Sequence, residues 1–344
     1  MSVSSGGESA EDPLDRLLRD PDGRSTTRRG RIYLVQELRR LLRSGAGRRL
    51  ERERPEERER FRALAPRFPS VLRELLRRFP APPTDPSWAR VNAGIAQQMV
   101  PDPPFAFLRC PPVISWMYWD GYDARIAAEL KSVEQWLGTM PVRPLDILRE
   151  NAVGRPYLYD RRYLTSSVLV NHAAHVCFLA SETGLRPSEL HRVVEWGGGY
   201  GSLARILFRF RPELSYTILD TPVMMALQWL FLSTVLGPER VVLPGSADAP
   251  PRNGCVYLQN ASTFGPVGGS VDLFVSTNAL SECPRDLIEG VAARRFFGAE
   301  HLWLAYTPSQ LDFPQWQTLE EAAVRSGARV VRHPFFANDR YACR

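Results

Sequence analysis

The sequence predicts an α/β fold: a central, mostly parallel sheet with helices on both faces, preceded by a helical N-terminal region. Three observations carry that prediction. A buried strand at 192–196 runs into a glycine turn and then a helix. From residue 192 onward apolar runs alternate with amphipathic segments, the pattern of a parallel sheet covered on both sides. The strands also end in polar residues, which such a fold collects on the rim where ligands bind.

The chain has 344 residues, enough for one large domain or two of ordinary size. Its 44% apolar and 24% charged residues are ordinary for a soluble globular protein. The net charge of +6 is almost all arginine, since Lys131 is the only lysine, and this reflects a GC-rich genome more than a phosphate-binding face. Basic runs are mixed with Glu and lack aromatic interleaving, so no nucleic-acid partner is expected. Cys110, Cys177, Cys255, Cys283 and Cys343 are scattered, which argues against a disulfide framework or a zinc site. The N-terminus lacks the apolar core of a signal peptide, and no apolar run nears the roughly 18 residues of a membrane span. A cytoplasmic protein without membrane partners is expected; a homo-oligomer is left open.

In chain order, residues 1–28 are polar and expected to be disordered. Residues 29–150 are expected to form a helical region that covers the substrate side or mediates oligomerisation. Helical spacing marks 33–42 and 61–79. Between them, 48–60 is nearly all Arg and Glu, read as a solvated helix with i,i+4 ion pairs; a phosphate-binding arginine cluster is the alternative. Proline-rich connectors lie at 80–86 and 101–112. Trp116, Tyr118, Trp119 and Tyr122 crowd together, either as packing or as a substrate wall. A helix follows over 123–137.

Residues 151–344 are expected to form the sheet domain. Its helix at 165–181 carries His172 and His175, three apart and on neighbouring positions of one face. Strand 192–196 follows, then Gly197, Gly198, Gly199, Tyr200 and Gly201, then helix 202–210. Glycines at this density allow positive φ and close approach of a ligand, and the helix start offers unpaired N–H groups. Strand 214–220 ends in Asp220; Thr221-Pro222 then caps a helix running to Gly237. The third strand is either 240–243 or the run at 255–258. Strand 271–276 leads to Thr277, Asn278 and Glu282, and strand 301–306 is followed by a helix at 313–326. Segments 329–336 and 341–344 close the chain as antiparallel strands.

The rim thus collects Glu195, the glycines, Asp220, Thr277, Asn278 and Glu282. Asp220 is placed to accept hydrogen bonds from ribose hydroxyls. The glycine spacing is Gly-x-Gly-x-Gly, not the Gly-x-Gly-x-x-Gly of a dinucleotide fold, and no lysine is present for a phosphate loop. This spacing, after Glu195 and before Asp220, resembles motif I of class I S-adenosylmethionine-dependent methyltransferases. More narrowly, Glu195-Trp-Gly-Gly-Gly-Tyr-Gly-Ser-Leu-Ala-Arg205, Tyr216-Thr-Ile-Leu-Asp-Thr-Pro222 and Asp272-Leu-Phe-Val-Ser-Thr-Asn-Ala-Leu-Ser-Glu282 resemble bacterial sugar O-methyltransferases; Trp196, Thr221 and Cys283 depart from that pattern. The resemblance covers 151–344. It implies a Rossmann-like domain with a seven-stranded sheet, and S-adenosylmethionine held by Glu195, the Gly197–Gly201 turn with Tyr200, Asp220, Thr221, Thr277 and Asn278.

It also implies methyl transfer to a hydroxyl of a small molecule or glycan. A sugar hydroxyl needs a base, for which His175 or His172 is the candidate, with Glu282 orienting substrate; capping of the helix after Pro284 is the other role open to Glu282. No metal-ligand cluster of distinctive spacing is visible. The alternatives are a methyltransferase acting on a non-sugar metabolite, a catalytically silent binding protein of the same fold, and a nicotinamide oxidoreductase, which the glycine spacing disfavours.

Overall fold

The computed structural model describes residues 12–19, 47–79, 86–117, 123–245, 252–263, 269–308 and 315–344. The helix expected at 33–42, most of the 1–28 tail, and Tyr118, Trp119 and Tyr122 lie outside them.

An eight-stranded sheet forms the centre, in the order β5-β6-β4-β3-β7-β8-β10-β9. Its parallel strands are β3 (Arg192–Trp196), β4 (Ser215–Asp220), β5 (Val241–Val242), β6 (Val256–Asn260), β7 (Leu273–Thr277) and β8 (His301–Tyr306). β10 (Phe336–Cys343) runs antiparallel to both of its neighbours, inserting between β8 and β9 (Arg329–His333), so that β9 keeps the direction of the parallel strands. β6 pairs with β4, so the later of the two short runs takes the third-strand position. The earlier run is a two-residue edge strand, and it raises the expected seven strands to eight. A small hairpin of β1 (Leu158–Asp160) and β2 (Thr165–Ser166) stands apart.

Alternation along each strand divides the core between the two faces of the sheet. Val193, Ile218, Val256, Leu273 and Val275 belong to one cluster; Val194, Leu219, Phe274, Leu302 and Leu304 belong to the other. Over the first face lie α8 (Ser167–Thr183), α9 (Ser202–Phe210) and α10 (Pro222–Leu236); over the second lie α11 (Arg285–Ala293) and α12 (Trp316–Arg325).

α10 is apolar on every side and buried from Pro222 to Thr234. A helix of that kind needs a second layer over it. The N-terminal region supplies the layer: α1 (Pro13–Arg19), α2 (Pro55–Leu64), α3 (Phe68–Arg78), α4 (Pro86–Met99), α5 (Pro111–Met117), α6 (Asp123–Leu137) and α7 (Pro144–Leu148). Phe61, Leu64, Phe68 and Leu72 share one continuous core with Met225, Leu227 and Phe231, so the two regions fold together.

Two expectations for this region need correction. Within the stretch expected to be disordered, Pro13–Arg19 is helical; Leu14 is buried, and Asp12 pairs with Arg73 (2.9 Å) and Arg77 (3.0 Å). The Arg/Glu run does carry an i,i+4 ion pair of the expected kind, Arg49–Glu53 at 2.9 Å. It is not wholly solvated, however. Glu57 is buried and accepts from Asn151 Nδ2 (2.6 Å) and the N–H groups of Ala152 (2.7 Å) and Val153 (3.1 Å). With Arg54 Nη1 as a fourth donor at 3.3 Å, the carboxylate tolerates this burial and ties α2 to residues 151–153.

Among the described residues no helix is long and apolar enough to cross a membrane.

Candidate active site

The turn between β3 and α9 is built from alternating left-handed residues: φ is +72° at Gly197, +55° at Gly199 and +96° at Gly201. Only glycine takes this backbone without strain. Space differs along it. A Cβ at Gly197 would stand 2.0 Å from the Cβ of Ala279, and one at Gly201 2.9 Å from Leu232, whereas one at Gly199 would meet nothing within 4 Å. The turn is therefore packed at its ends and open at its middle. Its fold is set by Gly197 N–H donating to Leu219 C=O (2.9 Å) and Gly201 N–H donating to Gly198 C=O (2.8 Å).

Asp220 ends β4 beside this opening. Its Oδ1 accepts from Thr221 N–H (2.8 Å) and its Oδ2 from Gln228 Nε2 (2.7 Å), which also donates to Gly199 C=O (2.9 Å). Burial pushes the carboxyl up to about 7, against the hydrogen bonds from Thr221, Gln228 and Gly198 N–H. Thr221 caps α10 as expected, its hydroxyl accepting from Met224 N–H.

Glu195 occupies a different place from the one expected. It is 1% exposed and lies under the turn, where Tyr216 OH donates to its Oε2 at 2.9 Å. Burial raises its carboxyl to about 8, with the charge of Asp220 adding to the rise. Glu195 thus supports the turn from below. Tyr200 is a second correction: its ring is buried edge-on against Phe231 (4.9 Å), so only its backbone belongs to the turn.

Under the start of α9, Arg205 forms a buried ion pair with Glu150 and donates to Ser202 Oγ at 2.8 Å. Burial pushes the Glu150 carboxyl up, but Arg205 and the Ser166 hydroxyl outweigh it and hold the group below its ordinary value.

Beyond β7, Thr277 is half-buried and Asn278 takes φ +70°, its N–H donating to Ala305 C=O (2.9 Å). A short 3₁₀ turn brings Glu282 to the rim. Glu282 Oε2 accepts from Trp88 Nε1 at 2.7 Å, and Pro284, the residue before α11, supplies no side-chain cap. One turn along α4, Asn92 Oδ1 accepts from Thr221 Oγ1 at 3.3 Å. Trp88 also packs on Trp116, ring centroids 5.4 Å apart, so that member of the aromatic crowd stands by the rim. Trp88 and Asn92 were not among the expected residues. Pro86 at a helix start, with Val91, Ile95 and Met99 at helical spacing, was the available signal for α4.

The histidines are carried by α8. His175 is buried edge-on against Tyr341 (5.6 Å). Burial drives its imidazole well below the ordinary value, helped by His172, His333 and Arg125. His172 is partly buried; burial and then the charge of Arg205 lower it to about 4. Both are neutral at pH 7, and His175 belongs to the packing of α8 on β10. Among the described residues no three His, Cys, Asp or Glu side chains are gathered as a metal site.

With the two-residue β5 set aside, the sheet has the strand order and the inserted antiparallel β10 of the class I methyltransferase fold. No protein-family model matches the chain, and no curated protein matches it in sequence. Solved structures similar to it include the magnesium protoporphyrin IX methyltransferase of Synechocystis PCC 6803, at 15% identity and TM-score 0.36 over 50% of this chain and 76% of that one. An O-methyltransferase family protein of Burkholderia thailandensis is 14% identical, TM-score 0.33, over 51% of this chain and 57% of that one. Mitomycin 7-O-methyltransferase is 13% identical, TM-score 0.34, over 75% and 71%. Likeness at these values carries nothing about activity.

Proposed function

We propose that the protein is an S-adenosylmethionine-dependent O-methyltransferase whose acceptor is a hydroxyl of a sugar or glycosylated metabolite. The observation that carries the reading is the open middle of the turn at Gly199 beside the carboxylate of Asp220. An adenosyl group fits that pair: its ribose hydroxyls would donate to Asp220, and its amino-acid end would lie along the backbone of Gly197–Gly201. Thr277 and Asn278 would form the floor. When bound, the cofactor supplies a methyl group on a sulfonium, ready for in-line displacement.

The chain's own residues then have two tasks. The first is alignment, which supplies much of the rate in such a displacement. The second is removal of the acceptor's proton, since an alcohol is a poor nucleophile. Glu282 is the carboxylate at the rim above β7 and is the residue we assign to hold that proton; His172 is the second candidate. The burial of His175 sets it aside as a base. The sugar class is supported by the sequence resemblance and by Trp88 and Trp116 beside Glu282, since pyranose rings stack on indole faces. A non-sugar hydroxyl is the second reading, because the same aromatic pair also suits a planar metabolite.

Calorimetric titration with S-adenosylhomocysteine tests the cofactor reading. Asp220→Ala and Gly199→Ala are expected to lose most of the binding, and unchanged affinity in both would sink it. A screen of glycans and metabolites for the mass gain of one methyl group identifies the acceptor.

A further inference from the structure

Helix α4 is hydrogen-bonded to the rim on either side of the glycine turn. In the sheet β4, β3 and β7 are neighbours in that order. α4 is bonded to the residue after β4, through Asn92 and Thr221, and to the turn after β7, through Trp88 and Glu282. The strand between those anchors is β3, which ends in the glycine turn. The anchors are two strand spacings apart, about 10 Å. One helical turn of about 6 Å plus side-chain reach spans that distance.

The two ends of α4 are held differently. Val91, Ile95, Ala96 and Met99 are buried in the main core, which pins the helix from Val91 onward. The first turn is mostly exposed at Pro86, Ala89 and Arg90, and meets the rim through half-buried Trp88. Beneath the helix Asp220 is only 8% exposed, while the space over Gly199 is open. Room for a ligand therefore lies at the turn, while Asp220 itself has little access from outside.

We infer that the first turn of α4 is a gate over the cofactor crevice, latched by the hydrogen bond from Trp88 to Glu282. It swings about Val91 to admit or release the cofactor and recloses above it. This rests on the S-adenosylmethionine reading. A latch made in both the empty and the loaded closed states cancels from the affinity and acts on both rates.

The test is exchange of labelled S-adenosylhomocysteine on the full chain. Trp88→Phe keeps the ring and its contact with Trp116 but removes the N–H donor. A hydrogen bond to a charged acceptor is strong enough that its loss shifts the open fraction about tenfold. Trp88→Phe should therefore raise the association and dissociation rate constants each about tenfold, leaving Kd within about twofold. Glu282→Gln retains a weaker acceptor and should give a smaller rise in the same direction. Unchanged rates in Trp88→Phe overturn the gate, and so does faster dissociation alone, which marks a wall that binds the ligand. Failure of the wild-type protein to bind S-adenosylhomocysteine overturns the cofactor reading, and the gate with it.

Discussion

Glu195 lies directly under Gly198: a Cβ at that glycine would stand 2.9 Å from Glu195 Oε2 and 2.8 Å from Ile218 Cγ2. The acid at the end of β3 is therefore a prop for the turn, and Asp220, two residues past the register partner of Glu195, is the one that meets the opening. Two buried carboxyls on adjacent strands repel, and the structure gives them different partners.

The first prediction concerns Glu195. Its carboxyl is raised from 4.5 to about 8, chiefly by burial. The folded protein holds this proton after the unfolded chain has lost it, so stability falls as pH rises between those two values. Glu195→Gln mimics the neutral form and does not titrate. Denaturant melts should show wild type and variant equal at low pH, the variant gaining progressively to about pH 8, and a constant gap above. A gap that stays flat across that window would refute the assignment.

Asp220 has the opposite consequence for binding. Its carboxyl sits at about 7 and must be ionised to accept fully from ribose hydroxyls. Affinity for S-adenosylhomocysteine should therefore climb as pH rises through that value. Asp220→Asn should bind more weakly and lose most of this dependence, measured by calorimetry at several pH values.

An end glycine and the middle one separate packing from binding. Gly197→Ala meets Ala279 at 2.0 Å on a left-handed backbone, and should destabilise the fold by about 3 kcal/mol. Gly199→Ala meets nothing and pays only backbone strain of about 1–2 kcal/mol, yet should lose ligand affinity at least as severely. Thermal melts read with calorimetry distinguish the two; equal melting losses would contradict the geometry.

Arg205 and Glu150 form an ion pair with both side chains 1% exposed. Arg205→Met strands a buried carboxylate and should cost about 3–5 kcal/mol in denaturant melts. Adding Glu150→Gln should recover much of that loss, because the charge left without a partner is then removed.

Much of this architecture is legible in the residues. β3, β8 and α9 coincide with the apolar runs that predict them, and β4 and β7 begin only a residue or two later. Long periodic segments flanked by Gly or Pro carry their own signal. Short runs do not, which is why Val241–Val242 and Val256–Asn260 cannot be ranked before their pairing is known. The glycine turn and Asp220 are equally readable, since both depend on local spacing. Glu195 and Tyr200 are not, because sequence position does not say which side of a turn a side chain takes. Trp88 and Asn92 meet partners 194 and 129 residues away, and no local pattern encodes that contact. The histidine pair shows the converse: helical spacing puts two imidazoles side by side, but only tertiary packing shows His175 withdrawn against Tyr341.

The central claim is that the turn and Asp220 hold an adenosylmethionine-type ligand, not a dinucleotide. Parallel calorimetric titrations of the 344-residue chain with S-adenosylhomocysteine and with NAD test it most directly. The account predicts saturable one-to-one binding of S-adenosylhomocysteine, abolished in Asp220→Ala, and no heat of binding from NAD. Saturable binding of NAD with none of S-adenosylhomocysteine would contradict it.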